Sequence, residues 1–155
     1  MDYSKTLNLP ETEFPMRAGL PEREPEILKY WYDNNIYEKK QKLHAGHKKF
    51  VLHDGPPYAN GQIHMGTALN KILKDIIMKY KYTQSYDTAY VPGWDNHGIP
   101  IEHAAIKNLG LKRNALDPLV LRNECNNYAL QWNDLQRNDH KSQGILGALG
   151  AHVVT

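Results

Sequence analysis

One cysteine in 155 residues, Cys125, rules out an internal disulfide and with it the stapled folds of small secreted proteins. Long apolar runs are missing too. The longest weakly polar stretch, Gly144 to Val154, has eleven residues, five of them Gly or Ala, and is too short to cross a bilayer as a helix. Met1 to Lys5 has neither the basic start nor the apolar run of a secretory signal. The expected compartment is the cytosol, with no membrane partner. Charge of one sign is also scarce. With 19 Lys+Arg against 17 Asp+Glu the formal charge is +2, too little to declare a nucleic-acid binder. The run Lys39-Lys40-Gln41-Lys42 could touch phosphate, and it equally suits a solvated helix end. No internal repeat or low-complexity tract occurs. What is there, 41% apolar and 23% charged residues, is a soluble globular composition sized for one domain or a piece of one.

Pro and Gly cut the chain into segments. Leu9 to Pro25 holds four prolines and no apolar period, and reads as an extended arm. From Pro25, Ile27, Leu28, Trp31, Tyr32 and Ile36 fall at helical spacing, predicting a helix of about three turns. Phe50-Val51-Leu52, stopped by Asp54-Gly55-Pro56-Pro57, reads as a buried parallel strand ending in a loop that runs to Gly61. Met65, Ala68, Leu69, Ile72, Leu73, Ile76, Ile77 and Tyr80 form the strongest amphipathic helical pattern in the chain. Thr88-Ala89-Tyr90-Val91 reads as a second strand, stopped by Pro92-Gly93-Trp94-Asp95. Asp117 as cap with Pro118 at the first helical position opens a long helix through Leu121, Cys125, Tyr128, Trp132 and Leu135, expected to cover one face of the sheet. Val153-Val154 starts another strand. The order strand, helix, strand predicts a βαβ unit, hence an α/β fold.

A βαβ crossover sets both loops that follow the strands, Asp54 to Gly61 and Pro92 to Gly98, at the carboxyl edge of the sheet, where ligands of open α/β sheets bind. The first loop runs into a helix N-terminus, which favours an anion, and Gly61 and Gly66 leave room for a phosphate. His64 sits at that mouth and can donate to a phosphate oxygen. The glycine spacing matches neither a dinucleotide fingerprint nor a Walker loop. Asp95, from the neighbouring loop, suits a cationic group such as an α-ammonium, and it would equally cap a turn. His64, His97, His103 and Cys125 lack the close spacing of a zinc motif, so no metal site is assigned.

The string His53-Asp54-Gly55-Pro56-Pro57-Tyr58-Ala59-Asn60-Gly61-Gln62-Ile63-His64-Met65-Gly66-Thr67, continued by Ala68-Leu69-Asn70-Lys71-Ile72-Leu73-Lys74-Asp75, closely resembles the isoleucyl-tRNA synthetases. Pro92-Gly93-Trp94-Asp95-Asn96-His97-Gly98-Ile99-Pro100-Ile101-Glu102 resembles the family's second block, and Leu20-Pro21-Glu22-Arg23-Glu24-Pro25-Glu26 the motif of its N-terminal arm. The resemblance runs over nearly the whole chain. It implies part of a Rossmann-type doubly wound parallel sheet, with an arm and helix at 1–47 and the N-terminal part of the catalytic domain at 48–155, truncated before the editing insertion. It implies ATP, with Mg2+, and isoleucine as substrates, isoleucyl-adenylate as intermediate and tRNA(Ile) as acceptor. By the same resemblance Gly55 and Pro56 wall the amino-acid site, Asp95 holds the ammonium, and Asn60, His64, Gly66 and Thr67 face ATP. His64 and Thr67 are the expected catalytic pair, with Asn60 and Trp94 also acting as supports.

Two departures from the family pattern bear on activity. The class signature His-x-Gly-His reads His64-Met65-Gly66-Thr67 here, replacing an imidazole by a neutral hydroxyl. Loss of one such group without compensation would cost about a hundredfold to a thousandfold in rate. The editing domain, the Lys-Met-Ser-Lys-Ser loop and the anticodon-binding region are missing, and Leu149, His152 and Val153 stand where a Trp and a Pro-Tyr pair are expected. The expectation is therefore an enzyme piece that needs its C-terminal remainder. The alternative is a non-catalytic nucleotide- or partner-binding fragment of a truncated or degenerate synthetase. Either way, an uncovered apolar face and a bare strand edge predict association with the remainder or self-association.

Overall fold

A computed structural model describes residues 3–8, 13, 17–110, 112–113 and 117–150, and the backbone of 153–154. After a 3₁₀ turn at Ser4–Thr6 come helices α1 (Leu20–Asp33), α2 (Ile36–Leu43) and α3 (Met65–Thr83), strand β1 (Gly93–Trp94), helices α4 (Ile99–Leu109) and α5 (Pro118–Ser142), and strand β2 (Val153–Val154).

The extended arm is corrected over its second half: residues 20–25 are helical, and most of its first half lies outside the described residues. Gly19, in the left-handed region at φ 53°, turns the chain into α1, and Pro21 sits in the first turn, where no helical N–H is needed. Pro25 lies inside the helix and withholds a single hydrogen bond. Ile36 belongs to a second helix, because Asn35 at φ 49° breaks the first, a conformation asparagine tolerates.

Phe50–Leu52 and Thr88–Val91 are extended but are not strands, which corrects that expectation. Along the edge of the second segment that faces away from Phe50–Leu52, side chains of α2 and of its C-cap His44 take the carbonyls in place of another strand. Lys40 Nζ and Gln41 Nε2 donate to Thr88 O at 3.0 and 2.8 Å, Tyr37 Oη reaches Tyr90 O at 3.4 Å, and His44 Nδ1 lies 3.0 Å from Tyr86 O. Ala148 N–H also donates to Tyr90 O. Pro56 and Pro57 have no N–H to offer from the other side. Parallel pairing survives as isolated bridges at both ends of these segments, Lys49 with Asp87 and Tyr58 with Asp95. β1 pairs in parallel with β2, Gly93 opposite Val153. Two segments joined by α3 therefore run side by side in the same direction.

Two small cores hold the layers together. Ala59, Trp94, Ile101 and Ala129 form one, flanked by Cys125, Tyr128 and Trp132; Met78, Tyr90 and Ile145 form the other, flanked by Phe50 and Leu52. α3 forms where its apolar period predicts, but the face it buries is the opposite one. Lys71, Asp75 and Met78 are inside, while Met65, Leu69, Leu73, Ile76 and Tyr80 are each more than half exposed. The reason is ionic: Asp75 accepts from Leu146 N–H at 3.0 Å and pairs with Lys79, whose ammonium also donates to Gly144 O. α5 is turned only in part: Ala129, Asn133, Gln136 and His140 are buried beside its apolar stripe, of which Cys125, Tyr128 and Trp132 pack against the first core and Leu135 is exposed. It begins as expected, with Asp117 Oδ1 accepting from Leu119 N–H at 2.8 Å and from Val120 N–H at 3.3 Å. Asp117→Ala should lower the unfolding free energy by about 1 kcal/mol in urea denaturation, with an unchanged m-value.

Candidate functional site

The mouth of α3 is closed by its own histidine. His64, in extended backbone geometry, is the N-cap, and its Nδ1 accepts from Gly66 N–H at 3.0 Å and from Thr67 N–H at 3.3 Å. An accepting Nδ1 leaves the ring proton on Nε2, which lies 3.3 Å from Thr67 Oγ1 and donates to it. Imidazole thus replaces the usual Ser or Asp cap. Gly66 is required for this arrangement, since a Cβ there would lie 2.9 Å from His64 Cε1. The room expected for phosphate at Gly66 is thus occupied by the ring of His64; at Gly61 and Gly55 the space is open.

Behind the mouth stands a buried ionic hub. The Asp54 carboxylate takes Lys74 Nζ on Oδ1 at 2.5 Å, and Lys71 Nζ and the Tyr90 hydroxyl on Oδ2, the latter at 2.9 Å. Lys71 also reaches Gly55 O at 3.4 Å, so the hub fixes the start of the Gly55-Pro56 loop. Burial pushes the Asp54 carboxyl up, but the hydrogen bonds and charges of the two lysines outweigh it and hold it below the usual carboxylate range. Burial, then the charge of Asp54, keeps the Tyr90 phenol protonated. His140 is lowered to about 4 by burial and then by Lys71, and its neutral ring stacks on Trp94 at 5.9 Å.

The second loop is tied to the first. Asp95 N–H donates to Pro57 O and Ala59 N–H donates to Asp95 O, at 2.9 and 3.1 Å. Gln136 clamps both: its amide donates to Tyr58 O and Gly61 O, and its carbonyl accepts from Trp94 Nε1 at 3.0 Å. Tyr128 Oη donates to Asn60 O. The Asp95 side chain accepts from His97 N–H at 3.2 Å, the turn-capping geometry left open above. The structure thus brings Tyr58, Asn60 and Asp95 together at the backbone. Two grooves flank this junction. One, of about 770 Å³, is lined by Asn60, His103, Lys107 and Tyr128; the other, of about 470 Å³, by His97, Gly98, Arg113 and Cys125. Gly55, Pro56, His64, Gly66 and Thr67 line neither groove. Among the described residues, no three His, Cys, Asp or Glu side chains gather as a metal site, and no helix is long and apolar enough to cross a membrane.

Sequence reasoning missed Lys71, Lys74, Tyr90 and Gln136 and read Asp54 only as the residue that stops a strand and opens a loop. The available signal was two lysines three residues apart, both off the apolar stripe of the helix.

Residues 26–154 match the family model described as tRNA synthetases class I (I, L, M and V). The chain belongs to that family. Over 147 residues, 95% of its length, this class I synthetase chain is 62% identical to an isoleucine–tRNA ligase of Moorella thermoacetica and 59% identical to one of Desulforudis audaxviator. A third, from Caldicellulosiruptor saccharolyticus, is 55% identical over the same length. The chain spans 16% of the length of each of these relatives.

The hub gives a testable dependence on pH. A carboxylate whose folded-state pKa is depressed contributes stability that is fully present above its unfolded value, about 3.9, and is lost as pH falls through the folded value. Lys71→Met leaves Asp54 with one ammonium partner. It should cost about 3 kcal/mol at pH 7 in chemical denaturation, and progressively less as pH falls through the depressed folded-state value of Asp54.

Proposed function

We propose that this chain is the N-terminal part of the catalytic domain of an isoleucine–tRNA ligase working in the cytoplasm. In that reading the parallel pairings at Lys49–Asp87, Tyr58–Asp95 and β1–β2 belong to a Rossmann-type doubly wound sheet. Residues 1–47 are then an arm with helices, and 48–155 the catalytic part ahead of an editing insertion. The observation that carries the reading is the Tyr58–Asp95 bridge, which sets side by side the two loops bearing the family motifs.

Isoleucine's carboxylate attacks the α-phosphorus of ATP in line. A new P–O bond forms as the bond to pyrophosphate breaks, and the acyl group then passes to tRNA(Ile). No protein nucleophile is needed, so the chain's residues orient the reactants and balance charge. Gly55 and Pro56 wall the amino-acid site, with the Gly55 carbonyl held by Lys71. Asp95 takes the ammonium on the carboxylate that His97 N–H already orients. Asn60, His64, Gly66 and Thr67 face ATP. The Nε2 proton of His64 is the donor for a phosphate oxygen, and Thr67 adds a neutral hydroxyl. Mg2+ arrives with the triphosphate, held through phosphate oxygens and water. The exposed apolar face of α3 takes the remainder of the synthetase, the partner this reading requires.

A second reading, a chain that binds nucleotide or a partner without catalysis, is favoured by one observation: His64 already holds the two amides at the mouth. Calorimetry with a non-hydrolysable isoleucyl-adenylate analogue should show binding that Asp95→Asn weakens by about tenfold to a hundredfold. Isoleucine-dependent ATP/pyrophosphate exchange should appear once the missing part of a relative is supplied. Binding without exchange, even with Thr67→His, selects the second reading; no binding rejects both.

A further inference from the structure

At the end of α3 remote from His64, about 28 Å along a helix of 19 residues, the chain gathers rings and ammonium groups that the proposed adenylation site does not use. His47 stacks on His44 with ring centres 4.8 Å apart and 14° between planes, and His44 stacks on Tyr82 at 4.1 Å. Lys40 Nζ closes the far end of the column, 4.9 Å over the Tyr82 ring. Each imidazole is anchored through Nδ1, His47 to Ser85 O at 2.9 Å and His44 to Tyr86 O at 3.0 Å; because a carbonyl only accepts, both nitrogens carry the proton and donate. The rings are therefore already ordered, and the exposed His47 presents the column's end to solvent. Next to it in the chain are Lys48 and Lys49, both exposed, with Lys48 and Lys81 over the Tyr86 ring at 5.8 and 5.3 Å. The acidic groups in the same segments are Glu38 and Asp87 alone.

The geometry points to a binding surface for a single-stranded polynucleotide, one base stacking on His47 and the flanking phosphates neutralised by Lys48 and Lys49. Stacking on a fixed ring is tolerant of base identity, because every base has a π-face, and the lysines contribute a salt-dependent term. A duplex gains only the second, since its bases are already stacked on one another. The inference requires neither ATP nor an amino acid and stands whether or not the adenylation reading holds.

Fluorescence anisotropy with the 155-residue chain and a labelled single-stranded RNA of mixed sequence tests it, with single-stranded DNA and duplex RNA as further arms. Single-stranded RNA should bind, and His47→Ala should weaken binding about tenfold while His47→Phe restores it. Lys48→Gln with Lys49→Gln should flatten the slope of log affinity against log salt by about 0.7 for each lysine. Equal binding of single-stranded RNA and DNA, or a preference for RNA, both support the surface; the latter adds a contact to the 2′-hydroxyl. No binding at low salt, a His47→Ala chain that binds like the parent, or a duplex that binds as tightly as the single strand would each overturn it.

Discussion

Asp54 carries a negative charge into the interior and meets two ammonium groups and a phenol there. Neither the carboxylate nor Lys71 could be buried alone, because an unpaired ion in a medium of low polarizability costs several kcal/mol. Together they set how α3 is rotated. With Lys71 and Lys74 turned toward Asp54, the apolar residues on the other side of the helix must face outward, and the loop that starts at Gly55 is held against the helix instead of drifting above it. Asp75 and Lys79 repeat the device one and two turns on, fastening the segment after α5 to the same side of α3.

A similar exchange of side chain for backbone explains the scarcity of regular strand. Carbonyls of residues 86, 88 and 90 alternate along one edge of an extended segment, and α2 sends Lys40, Gln41 and Tyr37, and its C-cap His44, to that edge. The groups are satisfied without a neighbouring strand, so the backbone keeps the direction of a parallel sheet while its hydrogen bonds go elsewhere. Gln136 does the equivalent work between the loops, where one buried amide serves Tyr58, Gly61 and Trp94.

The sequence carried α3 and α5 legibly, α4 not at all, and the rotation of α3 poorly. Periodicity located α3 and α5, and Asp117-Pro118 marked where α5 begins, because those signals are local. Which side of α3 faces inward depended on the partner of Lys71, a residue 17 positions earlier in the chain, and no local pattern announces that pairing. The N-terminal arm misled for the opposite reason: prolines near a helix start are compatible with the helix, and counting them said nothing about where they fell within a turn. At the site, the two loops were legible as neighbours because parallel connectivity places them at one edge, and their backbones do meet at Tyr58 and Asp95. The clamp by Gln136 was not legible, since glutamine in the middle of a long helix looks like any solvated residue until its burial is known.

The imidazole seated on the Gly66 and Thr67 amides has a thermodynamic corollary for whatever anion approaches that end of α3. An incoming oxygen does not meet vacant donors; it evicts a ring nitrogen from them, and the exchange returns only the difference between two hydrogen-bonded states. With a cap of this kind worth about 1 kcal/mol, the measured dissociation constant would be about fivefold weaker than the intrinsic one. The displaced ring, tethered one residue away, is then free to engage the newcomer from the side.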